Sequence, residues 1–177
     1  MKKLSLSLLL GVITAVGSAF AGTDVKSFKE KVIVEPEDCY FRNTEFQIDA
    51  FYTGFYGGRG TYFSTGSGGG FGLNFFFAKY FGIGYEGAWY DNNGVAQHLP
   101  IGGNFFVRYP ICSLNLAPYA MVGGGGTWDG YGTGYGNVGG GLEYRFTPNV
   151  GLFADGRFFY GGVDNVGNFR SGLRIAF

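Results

Sequence analysis

The chain has 177 residues, a formal net charge of zero, 35 glycines and 20% Phe, Tyr and Trp, with only 15% charged residues. The charge balance excludes a basic nucleic-acid binder, a 46% hydrophobic content at zero net charge excludes disorder, and glycines without a three-residue period exclude collagen. One His and two Cys are too few for a zinc finger or a His/Cys metal cluster, so no metal and no cofactor is expected.

The first residues read as an export signal. Lys2 and Lys3 supply a positive start, Leu4–Val16 an apolar run, and Ala19-Phe20-Ala21 a small-x-small cleavage pattern, so a signal peptide over 1–21 is expected. The apolar run is shorter than the roughly 20 residues that a membrane-spanning helix needs. Residues 22–43 carry Lys26, Lys29, Glu30, Lys31, Glu35, Glu37 and Asp38. That mixed charge reads as a solvated periplasmic leader, with a binding role as the lesser alternative. Val32-Ile33-Val34 is too soon interrupted by Pro36 to make a lasting strand.

From Thr44 the chain alternates. Phe46, Ile48, Ala50, Tyr52, Gly54 and Tyr56 fall on one face; Glu45, Gln47, Asp49, Phe51, Thr53 and Phe55 fall on the other. That period of two marks a strand with unlike sides. Phe71–Phe77, Phe81–Trp89, Leu99–Tyr109, Val138–Phe146, Val150–Tyr160 and Phe169–Phe177 repeat it, whereas Leu116–Gly124 carries no charge and leaves its faces undecided. The eight segments average about ten residues, and a tilted membrane-spanning strand needs about 9–11. The connections near Ala78–Tyr80, Pro110–Leu114 and Thr147–Asn149 are short; those near Gly57–Ser67, Asp91–Gln97, Gly125–Gly136 and Gly161–Val166 are longer. Short periplasmic turns alternating with longer outer loops are the habit of outer-membrane barrels. The fold class expected is all-β: an eight-stranded antiparallel up-and-down transmembrane β-barrel over 44–177.

Volume decides which face meets lipid. The apolar face offers about five sizeable side chains per strand, and eight strands leave an interior just wide enough for side chains to fill. Packing all of those rings inside would overfill it, so the polar face points inward and the aromatic face outward. The inward charges are Glu45, Asp49, Glu86, Glu143 and Asp155 against Arg108, Arg145, Arg157, Arg170 and Arg174, five of each sign. Arginine suits such a lumen because its planar fork grips a carboxylate and keeps its charge when dehydrated. Phe51, Phe76, Phe153 and Phe159 fall on the same face. A packed salt-bridge plug is the favoured reading; a narrow pore for ions or small solutes is the alternative.

Cys39 just precedes the first strand and Cys112 lies in the turn after the fourth, so both sit at the periplasmic rim. In that oxidising compartment a Cys39–Cys112 disulfide is expected. It would pin the leader across the barrel mouth and, in the loop-entropy model, stabilise by about 4 kcal/mol. Catalysis is not expected. His98 is the only histidine and has no adjacent Ser to activate. Glu143 and Asp155 each have an arginine two residues away on the same face, which favours ion pairing over acid–base work. An outer-membrane enzyme would show lipid turnover that disappears in His98→Ala.

The C-terminal run Phe169-Arg170-Ser171-Gly172-Leu173-Arg174-Ile175-Ala176-Phe177, the segment Leu116-Ala117-Pro118-Tyr119-Ala120 with its following glycines, and Val138–Asn149 resemble the small OmpA/OmpX-like outer-membrane β-barrel families. The resemblance spans about 44–177. It implies an eight-stranded barrel in the bacterial outer membrane, surrounded by outer-membrane lipid. It also implies that Phe169, Gly172, Leu173, Ile175 and Phe177 form the strand signal read by the barrel-assembly machinery. The expected role is structural or surface-interactional, as a monomer; no surface ligand is legible.

Overall fold

Among the described residues the chain forms nine strand segments: β1 (Glu45–Tyr56), β2 (Gly66–Ala78), β3 (Phe81–Asn92), β4 (Val95–His98), β5 (Ile101–Arg108), β6 (Leu116–Gly126), β7 (Gly134–Arg145), β8 (Val150–Tyr160) and β9 (Val166–Ala176). The computed structural model describes residues 39–57, 66–92, 95–98, 101–126, 134–161 and 165–177. The expected signal peptide, most of the leader and the tips of the outer loops lie outside the described residues.

Every neighbouring pair is antiparallel, in the order β2-β1-β9-β8-β7-β6-β5-β3, and the β2–β3 pairing closes the ring. β4 and β5 both pair with β3 and together fill one wall position, so the wall is a closed eight-stranded up-and-down barrel. Closure leaves none of these strands at a free edge, the condition for standing in hydrocarbon. It joins first strand to last: Gln47 faces Ala176 and Tyr56 faces Gly167.

The strands run further than the side-chain pattern indicates. Gly66 pairs with β1 and Ser67–Gly70 with both β1 and β3, Gly125 and Gly126 pair with Tyr135 and Gly134, and Val95–His98 pair with Trp89–Asn92. Gly66, Ser67, Val95–Gln97, Gly125 and Gly126 among them lie in segments expected as loops. In the β2 and β6 runs glycine has no side chain to alternate, so the periodic signal fades while the ladder continues. His98, expected near an outer loop, has its backbone in β4 opposite Trp89; its side chain lies outside the described residues. The periplasmic turns are tight. A 3₁₀ turn over Cys112–Leu114 ends at Asn115, whose left-handed backbone (φ 51°) is one that Asn tolerates. Thr147 Oγ1 accepts the Val150 N–H at 3.0 Å and closes the β7–β8 turn.

At the closing seam, β9 passes close to β1. A Cβ built on Gly172 would stand 2.2 Å from the Ala50 carbonyl oxygen and 2.7 Å from Phe51 Cα. Both obstacles are backbone and cannot swing away. Gly172→Val is therefore expected to cost about 1–3 kcal/mol, read as a lower urea midpoint for the folded, heat-modifiable band on a gel. A variant as stable as the wild type would contradict the close approach.

Candidate functional site: the ion-paired lumen and its periplasmic mouth

Burial follows the alternation with the polar face inward. In β1, Glu45, Gln47, Asp49, Phe51, Thr53 and Phe55 are buried, while Phe46, Ile48, Tyr52 and Tyr56 are exposed. Across the wall the outward side chains include Phe71, Phe75, Phe77, Phe81, Ile83, Tyr85, Trp89, Phe105, Leu142, Leu152, Phe158 and Phe169. They form a charge-free aromatic and aliphatic belt around a buried charged interior. That is the inverse of a water-soluble barrel and the arrangement that a bilayer requires.

Nine of the ten charged residues expected to face inward are buried, Glu86 is partly exposed, and their ion pairs fall in two tiers. In the lower tier, Arg174 donates from Nε (2.7 Å) and Nη2 (2.6 Å) to the two oxygens of Asp49, and from Nη1 to Glu143 Oε2 (2.6 Å). Arg145 reaches Glu45 Oε1 through Nη2 (2.7 Å), Glu143 through Nε, and the Pro148 carbonyl through Nη1 (2.9 Å). Arg108 donates to Glu45 Oε1 from Nη1 (2.9 Å), to the Lys79 carbonyl from Nε (2.8 Å) and to the Arg42 carbonyl from Nη2 (3.2 Å). In the upper tier, Arg170 forks onto Asp155 (2.9 and 2.6 Å) and also meets Glu86 (2.8 Å). Arg157 spans the same two carboxylates. The lower tier sets Arg108, Arg145 and Arg174 against Glu45, Asp49 and Glu143; the upper sets Arg157 and Arg170 against Glu86 and Asp155. Each tier therefore balances its own charge. Buried charges persist in a low-dielectric interior only when paired and hydrogen-bonded in this manner.

Aromatic rings pack against the ion pairs. The Arg170 and Arg174 guanidinium carbons lie 5.5 and 4.6 Å from the Phe153 ring centre, so this ring sits between the tiers. Phe51 meets Phe153 edge-on with centres 6.3 Å apart and lies 4.5 Å from Arg170. Phe76 sits 3.8 Å from Arg108 and packs with Phe106, Tyr119 and Met121 into one cluster. Phe159, also expected inward, is partly buried and packs on Phe55 and Val166.

Two contributors escape the sequence pattern. Tyr119 belongs to the strand whose faces were undecided. Ala117, Tyr119 and Met121 point in, and the Tyr119 hydroxyl donates to Asp155 Oδ2 at 2.8 Å. A buried Tyr needs a partner for its hydroxyl, but no charge in its own strand reveals which. The other is Phe41, in the stretch expected as solvated leader. It is buried at 2% exposure, with Arg108 and Arg145 at 5.3 and 5.1 Å from its ring centre. The end of the leader is thus part of the lumen floor. Cys39 and Cys112 are joined by a disulfide across 73 residues of sequence, as expected.

Fold and polarity define the class: a transmembrane β-barrel of the outer-membrane type. No protein-family model matches the chain, and no curated protein matches it. Among solved structures it is similar to the N-terminal β-barrel domain of Pseudomonas aeruginosa OprF, at 17% identity over 77% of this chain and 98% of that one, TM-score 0.61. It is also similar to Neisserial surface protein A, at 17% identity over 77% of this chain and 98% of that one, TM-score 0.57. These likenesses are of fold, and in fold the small outer-membrane barrels are what this chain resembles.

Proposed function

We propose that the protein is a structural and surface-interaction barrel of the bacterial envelope, not an enzyme and not a conduit. The observation that carries this reading is the filled lumen. Both tiers of arginines are fastened to carboxylates, and Phe51, Phe76, Phe106 and Phe153 are buried beside them. Glu143 and Asp155, the carboxylates best placed for acid–base work, accept hydrogen bonds from two arginines each. A barrel of this kind acts through what it presents to lipid and to the outside.

The same reading makes the last strand a biogenesis element. Phe169, Leu173, Ile175 and Phe177 lie exposed along one face of β9 and at its end, and the Phe177 N–H donates to the Phe46 carbonyl at 2.9 Å. The side chains proposed for the assembly machinery therefore stay on the lipid face after closure. The monomeric state is part of the same proposal.

Planar-bilayer recording tests the sealed lumen. The folded protein is expected to leave the membrane at its baseline current. Stable, discrete openings would overturn the reading in favour of the narrow pore.

A further inference from the structure

The segment Cys39–Asn43 is fixed at two places. One end runs into β1; the other is the bond from Cys39 to Cys112, in the turn between β5 and β6. Around the wall β6 stands four positions from β1 in either direction, so the two anchors face each other across the periplasmic mouth. The stretch from Cys39 to Glu45 spans at most about 20 Å when extended, so the segment is a strap drawn across the opening. In its middle, Phe41 is turned up against Arg108 and Arg145. The Arg42 carbonyl accepts from Arg108 at 3.2 Å, and the Arg42 N–H donates to Glu45 at 3.4 Å. Cys39 and Cys112 are both partly buried at the rim, within reach of a reagent from the periplasm.

The strap and the wall are held by different forces. The wall rests on its ladder and on ion pairs among strand residues. Among the described residues, the strap rests on the Phe41 ring, on backbone hydrogen bonds of Arg42 and on the disulfide. Ordering each strap residue costs backbone entropy, and the disulfide removes the freedom of the strap at Cys39. We propose that Cys39–Cys112 is a redox latch and that the strap is a releasable stopper of the periplasmic mouth. A dithiol reductant passes two electrons and two protons to the disulfide and leaves as its own disulfide, and the two cysteines become thiols. The strap then swings about Asn43–Thr44 and withdraws Phe41 from the mouth. Arg108 and Arg145 keep Glu45 and Glu143 as partners, so the barrel stays closed. A disulfide-bearing oxidant reverses the step.

Hydrogen exchange read by mass spectrometry on the full folded chain, before and after treatment with a dithiol, tests this. Peptides covering Phe41–Asn43 are expected to exchange about tenfold faster after reduction, as for a locally opened segment, while β8 and β9 keep their protection. Cys39→Ser with Cys112→Ser is expected to match the reduced protein without reductant; if that variant fails to fold, reduction of the prefolded wild type still decides. Unchanged exchange of the strap after complete reduction would overturn the latch. So would an equal acceleration in β8 and β9, because the disulfide would then be a staple of the whole barrel.

Discussion

Arg174→Met is expected to lower the stability of the folded barrel by about 3–5 kcal/mol, the usual loss when one partner of a buried ion pair is removed. Arg174 holds both oxygens of Asp49 and one of Glu143. Without it, Asp49 retains the Asn74 amide at 2.8 Å and Glu143 retains Arg145, so the larger deficit falls on Asp49. Adding Asp49→Asn removes the stranded charge, and the double variant is expected to be more stable than Arg174→Met alone. Urea midpoints from the gel shift between folded and unfolded bands measure each step. A loss of only about 0–1 kcal/mol, the range of exposed pairs, would mean that water reaches the lower tier and that the lumen is not sealed.

Val122→Arg is expected to cost about 2–4 kcal/mol, the penalty for a cation on the lipid face near the bilayer midplane. Val122 stands near the middle of β6 and is half exposed on the outer wall, between the lumen-facing Met121 and Gly123. Val122→Leu keeps the surface apolar and is expected to be nearly neutral. The same urea series in lipid or detergent compares them. Equal stability of the Arg and Leu variants would place Val122 against water and would remove β6 from the register described.

The wall was legible because its signals are local. Period two names a strand, the number of segments sets the ring, and the volume of the aromatic face forces it outward. The charged lumen was legible for the same reason: Glu143 and Arg145, or Asp155 and Arg157, declare their face through spacing alone. What depends on partners from other strands was not. No pattern in Arg174 reveals that it grips Asp49 rather than a nearer carboxylate, because that pairing exists only once β9 meets β1. Tyr119 lacked a charged neighbour in its strand to mark its side. The glycine runs carried ladders that their missing side chains could not announce. Phe41 lay among the charges of the leader, and its partners Arg108 and Arg145 come from strands distant in sequence.

Orientation is the claim on which the rest depends, and photolabelling from within the bilayer reads it most directly. A lipid-soluble diazirine, activated in vesicles holding the folded protein and mapped by mass spectrometry, is expected to mark Phe75, Phe105, Phe158 and Leu142. It is expected to spare Phe51, Phe76, Phe106 and Phe153. Label on the second set with the first set clean would contradict the account.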